Sequence, residues 1–579
     1  MHMQITNKTL PPPVFFIQSL LKQNYSVLIF SKTSPKSLSA DVVELNTLKG
    51  MLVLDVYASK EELVPYLNDG NLSLDIEIIK GTPPTEREGY SLSNIPASLS
   101  KGDNNICRVE CILPESFFTH DRRGAVRIPF IFGMSCRARI EIFTHFLNIT
   151  AKVKNLSIGG CLLELQLKDS EAIDINKKIQ GIYLSFPNGE TFSSEGVIRH
   201  IRSFGKHGYV VAGVEFINLL PKQYDALFHM VTESERELAF LSGMSGHDIT
   251  KSPLFIPGSG EKNYLLKETL EREKRAHQTP MEKGIIDIAN QLQVGLMYIK
   301  TKNYFAAEIF YDCVDALLGL LTHDRKEFFY SLSFIREEPG WVRHSINVAS
   351  RFADIILIHN PHASELKETL LGILLHNLGK PLLISDKLPS LSSSLTFEQR
   401  NILKEHVKVI LDKFKELGWE PSAVCRRVIE DANERIDGTG YPSGKKHQQM
   451  APVIRLISVL KVIEKLSFRR NGSPANTPLD VYRIVNQQQN SYEKKWLVYY
   501  IQLYGIYPIG CLVKYSGGFL AWVTDIDNTG HPTEVRVIKD LRYPDANINS
   551  LISGFDLSQI GKIENVVDPL DYDIGVKKL

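Results

Sequence analysis

Between residues 17 and 115 the apolar positions come in short runs, YSVLIFS, MLVLDVYA and LSLDIEII, broken by Asp, Asn, Gly and Pro. Runs this short and this rich in β-branched side chains predict strands of a small antiparallel barrel or sandwich. The pattern returns from 125 to 225 in AVRIPFIFG, CRARIEIF, GCLLELQL, GIYLSFP, EGVIRHIR and YVVAGVEF. Several of these alternate apolar with polar residues, as half-solvated strands do, and predict a second β domain. In KQYDALFHMVTESERELAF the spacing becomes helical and predicts a helix packed where the chain leaves that domain.

A stretch rich in Gly, Ser and Pro, LSGMSGHDITKSPLFIPGSGEK, then marks a boundary. Beyond it YFAAEIFYDCVDALLGLL, ELKETLLGILLHNLGK and HVKVILDKFKEL repeat apolar residues at helical intervals, so 262–500 reads as predominantly helical. CLVKYSGGFLAWVTDID and EVRVIKD form a short β coda. The fold class expected is two small antiparallel β-barrel domains followed by an all-α domain with that coda. The expected divisions are a β domain at 1–117, a β-barrel domain at 118–240, a linker and connecting helix at 241–284, the helical domain at 285–545 and a tail at 546–579.

Composition narrows the function classes. With 43% hydrophobic and 23% charged residues over 579 positions, the chain has the apolar content for several cores. Its formal charge is +1 and the basic residues form no extended stripe, so no nucleic acid polymer is an expected partner and any bound anion needs a local cluster. Seven cysteines without a CxxC pair read as small buried hydrophobes in a reducing compartment. No transmembrane segment or signal peptide is read from the sequence, and the expected location is cytoplasmic.

The densest anion-binding candidate is DRRGAVRIPF, with Arg122, Arg123 and Arg127 within six residues. Guanidinium groups donate paired hydrogen bonds to phosphate and stack on purines. Alone, such a group also reads as a solvated face. KNLSIGG, 154–160, adds Asn155, Ser157 and Gly160, read as a turn between strands, where glycine permits close backbone approach. Together the two pieces resemble the PilZ domain, whose RxxxR motif, preceded by a further Arg, is followed by a (D/N)xSxxG turn. The domain before it resembles the amino-terminal partner of flagellar-brake proteins, through LKGMLVLDV and CRVECILPESFFTHDRR. The resemblance covers roughly 17–237. It implies binding of cyclic di-GMP by Arg122, Arg123, Arg127, Asn155, Ser157 and Gly160, with Arg122 and Arg123 at the junction of two domains whose relative angle the ligand would set. Motility or surface attachment as the process controlled follows from this resemblance alone.

In the helical region His344, His376 and His406 each lie within or at the end of an expected helix, where packing can assemble a metal site; singly, each reads as a core or surface histidine. DGTGYPSG, 437–444, with this histidine order and YGIYPIG at 504–510, resembles the HD-GYP phosphodiesterases over roughly 285–540. The departures are chemical. The family's HD pair stands here as His376-Asn377, its two adjacent histidines as Ala432-Asn433, and the Asp of its VAD segment as Lys461. Asn is a poor metal ligand, Ala offers none, and a lysine ammonium repels a cation. Without a two-metal clamp the main terms of phosphodiester hydrolysis are missing, so the domain reads as catalytically inactive, with no metal and no cofactor, His344, His376 and His406 being vestigial ligands. Two accounts of the retained turn stay open: Asp437 capping it, its glycines at positive φ and Tyr-Pro packing it, or a protein-recognition role. Lys380 stands where the resemblance implies a phosphate contact in an active relative, and here also reads as a residue near a helix terminus.

The combined expectation is a cyclic di-GMP receptor whose helical domain contacts another protein or a second copy of itself. The alternatives are a phosphodiesterase with an atypical metal set, recruiting Glu434 or Glu464, and a nucleotide-regulated oligomerisation scaffold.

Overall fold

The computed structural model describes residues 25–574 apart from 31–36, 47–50, 68–69, 81–85, 103–105, 113–126, 144–146, 204–207, 243–249, 259–277, 392–393, 470–474, 544–545, 547 and 573. The chain divides into two units, 1–125 and 126–579, each described by itself.

In the first unit β1 (Tyr25–Phe30), β2 (Leu38–Asn46), β3 (Met51–Val56), β4 (Asn71–Lys80), β5 (Glu86–Gly102) and β6 (Cys107–Ile112) close an antiparallel barrel in the order β1-β2-β3-β6-β5-β4. Alternation makes the core: Leu52, Leu54 and Val56 of β3 and Cys107, Val109 and Cys111 of β6 point inward. A short helix, α1 (Lys60–Leu63), opens on a capping box between Ser59 and Glu62 and drops Leu63 into that core.

The second unit begins with β7 (Ile128–Pro129), β8 (Arg137–Phe143), β9 (Leu147–Ser157), β10 (Gly160–Gln166), β11 (Lys178–Ser185), β12 (Thr191–Ser203) and β13 (Tyr209–Ile217). The sheet order is β10-β13-β12-β11-β8-β9, and pairing of β9 with β10 closes the ring of six; β7 adds to β9 from outside. Cys161, Leu163 and Leu165 face inward against Val210, Ala212 and Val214. Helix α2 (Pro221–Leu241) follows where helical spacing was expected, and Leu227, Met230 and Val231 join the barrel core. The turn Pro253–Phe255, inside the Gly/Ser/Pro-rich boundary, also enters it: Phe255 packs edge-on against Phe130 and Phe186, ring centroids 5.6 and 5.8 Å away.

Helix α3 (Pro280–Lys302) starts at a capping box between Thr279 and Glu282 with Pro280 as its first residue. Then come α4 (Ala307–His323), α5 (Arg325–Ser331), α6 (Gly340–His359), α7 (Leu366–Leu375), α8 (Phe397–Lys404), α9 (His406–Glu416), α10 (Ala423–Asp431), α11 (Pro452–Ser467), α12 (Pro478–Gln487) and α13 (Lys494–Tyr504). The barrel and the helices are joined. Met297 of α3 and Ile384 belong to the barrel core. Lys300 Nζ donates to Glu171 O at 2.6 Å and pairs with Asp174 at 2.7 Å, and Trp341 Nε1 donates to Glu171 Oε2 at 2.9 Å.

The coda is a sheet of β14 (Leu512–Tyr515), β15 (Phe519–Ile526), β16 (Pro532–Asp540), β17 (Ser550–Ser553) and β18 (Ile563–Val567), ordered β17-β16-β15-β14-β18. Two of its strands lie in the stretch beyond 545 that the sequence marks as tail. All seven cysteines are free, and six of them are buried. Among the described residues no helix is long and apolar enough to cross a membrane.

Candidate functional site

Two groups of residues carry the chemistry read from the sequence, one on the second barrel and one among the helices. Of the barrel group, Arg122 and Arg123 lie outside the described residues. Arg127 is exposed immediately before β7, whose Ile128 and Pro129 pair with Leu156 and Asn155 of β9. Asn155 and Ser157 are therefore strand residues rather than turn residues, and Gly160 opens β10; the turn itself shrinks to Ile158 and Gly159. Ladder pairing of Ser157 with Gly160 causes this, and the Ser157 hydroxyl reinforces it by donating to Gly160 O at 2.9 Å. Gly160 is required by close approach: a Cβ there would meet Val214 O at 2.1 Å. Asn155 Oδ1 is buried and finds no hydrogen-bond partner among the described residues. Burial pushes the Cys161 thiol up, and the nearby Arg127 guanidinium works against that shift, which places Arg127 within electrostatic reach of β10. The barrel thus gathers Arg127, Asn155, Ser157 and Gly160 along β7, β9 and β10.

Sequence reasoning passed over His200. Its ring lies across Gly213, where an added Cβ would meet the nearest ring atom, Cε1, at 2.0 Å. The register pairs Asn155 with Leu162, Leu162 with Gly213 and Gly213 with His200, so His200 stands in the same cross-strand row as Asn155. Only long-range register reveals that row.

In the helical group, α6 supplies His344, the end of α7 supplies His376 and Asn377, α9 opens with His406, Asn433 follows α10, and α11 supplies Lys461 and Glu464. All three histidines are buried. His376 and His406 present Nδ1 to the carbonyls of Ile373 and Leu403 at 2.6 and 2.7 Å, which fixes the Nδ1–H tautomer and leaves Nε2 as an acceptor. His344 Nδ1 contacts Glu464 Oε2, and the rings of His344 and His376 are 5.7 Å apart. Lys461 Nζ donates to Asn433 Oδ1 at 2.7 Å, and Asn433 Nδ2 faces His406 Nε2 at 3.4 Å. Ala432 is buried and brings no donor atom.

Burial is the main reason these imidazoles stay neutral. It pushes His344 down to about 4 against the opposing pull of Glu464. His376 and His406 are held well below the ordinary histidine value, again chiefly by burial, with the ammonium groups of Lys461 and Lys380 adding to the effect. The donor set does not fit a two-metal centre. Among the described residues no group of three or more His, Cys, Asp and Glu side chains is arranged to hold a metal ion. Asn377 and Asn433 supply neutral amides, and Lys461 brings a positive charge against them.

The two carboxylates considered as replacement ligands are engaged elsewhere. Glu464 is taken by His344. Glu434 accepts backbone N–H groups from Ser443, Gly444 and Lys445 at 2.7, 3.1 and 3.0 Å, and so organises the DGTGYPSG turn. Asp437 caps that turn as expected, accepting from Thr439 N at 2.9 Å and Thr439 Oγ1 at 2.7 Å. Gly438 and Gly444 do take positive φ, but Gly440 does not: it is required because a Cβ would lie 2.4 Å from Glu434 Cα. Tyr441 turns its ring toward His406, centroids 6.0 Å apart.

Comparison with known proteins fits the barrel reading most closely. Residues 121–233 match the PilZ domain family. A cyclic di-GMP phosphodiesterase of Pseudomonas aeruginosa is 26% identical over 163 residues, covering 28% of this chain and 38% of the relative, so the match spans well under two thirds of that protein. Among solved structures, YcgR in complex with c-di-GMP from Escherichia coli aligns at 14% identity over 42% of this chain and 99% of that one, TM-score 0.21. Bd1817, a HDG"Y"P protein from Bdellovibrio bacteriovorus, aligns at 16% identity over 42% of this chain and 79% of that one, TM-score 0.30. The chain therefore contains a match to the PilZ domain at 121–233, set between an amino-terminal barrel and a helical region.

Proposed function

We propose that this chain is a cyclic di-GMP receptor. The observation that carries the reading is the PilZ match at 121–233, combined with the gathering of Arg127, Asn155, Ser157 and Gly160 on adjoining strands. In this reading Arg122, Arg123 and Arg127 bind the phosphates and guanine faces through paired, charge-assisted hydrogen bonds. Asn155 Oδ1, buried without a partner among the described residues, accepts from a guanine N–H. Gly160 lets β10 lie close against β13, beside the strand that carries Asn155 and Ser157. Capture of the ligand by Arg122 and Arg123 passes onward as a shift in conformational populations, to a protein partner or a second copy through the helical domain.

The helical domain takes no part in hydrolysis in this proposal, because Lys461 and two asparagines stand where a metal clamp needs anionic or imidazole ligands. Phosphodiesterase activity is the second reading, favoured by the Pseudomonas aeruginosa relative. The commitments of Glu434 and Glu464 weigh against it.

Calorimetric titration of the full-length chain with cyclic di-GMP, followed by chromatography of the mixture, tests both readings. Binding with intact ligand, weakened at least about tenfold by Arg123→Ala or Arg127→Ala, is the expected result. Linear product establishes the second reading, and absence of binding sinks the first. Unchanged fluorescence transfer between labels in the two β domains on saturation would refute the conformational part.

A further inference from the structure

A groove of about 830 Å³ opens where the chain leaves the DGTGYPSG turn and meets two helices. It is lined by Arg426 and Arg427 from α10, by Lys445 just after the turn, and by Arg455 from the first turn of α11. Its size lies within the roughly 300–1,000 Å³ of small-molecule sites. It shares no residue with the barrel group, and none with the buried histidines, Asn433 or Lys461.

The four cations differ in how far they are committed. Lys445 Nζ donates to Asp431 Oδ1 at 2.6 Å. Arg455 contacts His447 and lies 3.5 Å from Glu493, a carboxylate that also holds Lys495 at 3.2 Å. Arg426 Nη1 stands 3.6 Å from Glu430 Oε1, an ion pair too long for a hydrogen bond. Arg427 is exposed and has neither an ion pair nor a hydrogen bond among the described residues. Glu430 and Asp431 are the carboxylates that line the groove, and each already faces a cation. Two guanidinium forks, adjacent in sequence, thus open onto one concavity with their N–H donors unspent.

On a convex face such a pair is simply solvated. In a groove the forks converge on one volume, and a phosphoryl group offers oxygens to both at once. The start of α11 acts in the same sense: Ala451 and Pro452 line the groove, and no side chain caps that helix, so the positive end of its dipole faces the same space.

We propose that this groove binds a small molecule carrying two or more phosphoryl groups, with Arg427 and Arg426 as its principal donors. Lys445 and Arg455 supply the surrounding positive field. The site is separate from the barrel ligand and does not rest on it.

The test titrates the full-length chain by calorimetry with ADP and, in parallel, with inorganic pyrophosphate at fixed ionic strength, and follows backbone hydrogen exchange in each mixture. Both probes should bind saturably and slow exchange over 445–455. Arg427→Gln should weaken ADP binding about tenfold, and Arg426→Gln combined with Arg427→Gln about a hundredfold or more, since each fork takes charge-assisted hydrogen bonds with it. Arg427→Lys keeps the charge but loses the fork, and should recover only part of the affinity. Both arginines are exposed, so the variants should keep the wild-type midpoint in urea. Tighter binding of ADP than of pyrophosphate identifies a nucleoside phosphate; pyrophosphate equal or tighter identifies the free polyphosphate; either supports the site. No saturable heat with either probe overturns the proposal. So does wild-type affinity in the double variant, or protection confined to the barrel. A hexaglutamate peptide that binds more tightly than both probes would also overturn it, by making the groove a contact for an acidic protein segment.

Discussion

Lys461 Nζ donates to Asn433 Oδ1 at 2.7 Å, and the same amide faces His406 Nε2 at 3.4 Å. A charged side chain of α11 is thereby linked through one amide to the imidazole that opens α9. The His406 tautomer, set by Leu403 O, supplies the acceptor for that amide. A protonated histidine would break the sequence of donors and acceptors, and burial together with the lysines keeps it neutral.

This link should appear as energetic coupling. In a double-mutant cycle with Lys461→Met and Asn433→Ala, urea unfolding should return a coupling of about 1–2 kcal/mol. A coupling below about 0.3 kcal/mol would mean the hydrogen bond contributes nothing to the folded state.

Glu434→Gln should loosen the DGTGYPSG turn. The carboxylate accepts three backbone N–H groups, whereas an amide has one accepting oxygen and leaves part of the set unpaired. The expected cost is about 1.5–3 kcal/mol, with faster hydrogen exchange at Ser443, Gly444 and Lys445. Unchanged exchange at those amides would show that the turn is held by other contacts.

Gly160→Ala should destabilise the second barrel by about 2 kcal/mol or more, since the added Cβ would lie 2.1 Å from a backbone oxygen that cannot move without disturbing β13. Cyclic di-GMP affinity should fall with it. Chemical unfolding of the variant at wild-type midpoint would contradict the close approach.

Glu171 predicts a pH dependence. Burial raises its carboxyl from 4.5 to about 7, partly offset by the Trp341 hydrogen bond and by Lys300, with Asp169 adding to the rise. The folded value lies above the unfolded one, so this group's contribution is fully present below about pH 4.5 and is lost as pH rises through about 7. Relative to Glu171→Gln, the wild-type unfolding midpoint in urea should therefore decline across that window. Parallel curves for the two proteins would disprove the assignment.

What the sequence determined by itself is local. Alternation in GCLLELQL names Cys161, Leu163 and Leu165 as inward residues, because neighbouring side chains on a strand must face opposite ways. Thr279, Pro280 and Glu282 mark the start of α3 for an equally local reason, the unsatisfied amides of a first helical turn. The site motifs were legible because their residues are close in the chain.

Tertiary structure decided the rest, through contacts between residues far apart in sequence. Asn155 and Ser157 became strand residues through pairing with β7 and β10. His200 joined the row of Asn155 through two further strand registers. The Pro253–Phe255 turn filled the barrel core from a stretch whose composition reads as a boundary. Glu434, a ligand candidate on composition, became a turn organiser because the backbone folds back to meet it. That Lys461 was present was plain from the sequence; that its charge meets Asn433, and lies near three buried imidazoles, required α6, α7, α9 and α11 to pack around one point. Residue type sets which chemistry is available, and only packing sets which groups share a low-dielectric space in which that chemistry counts.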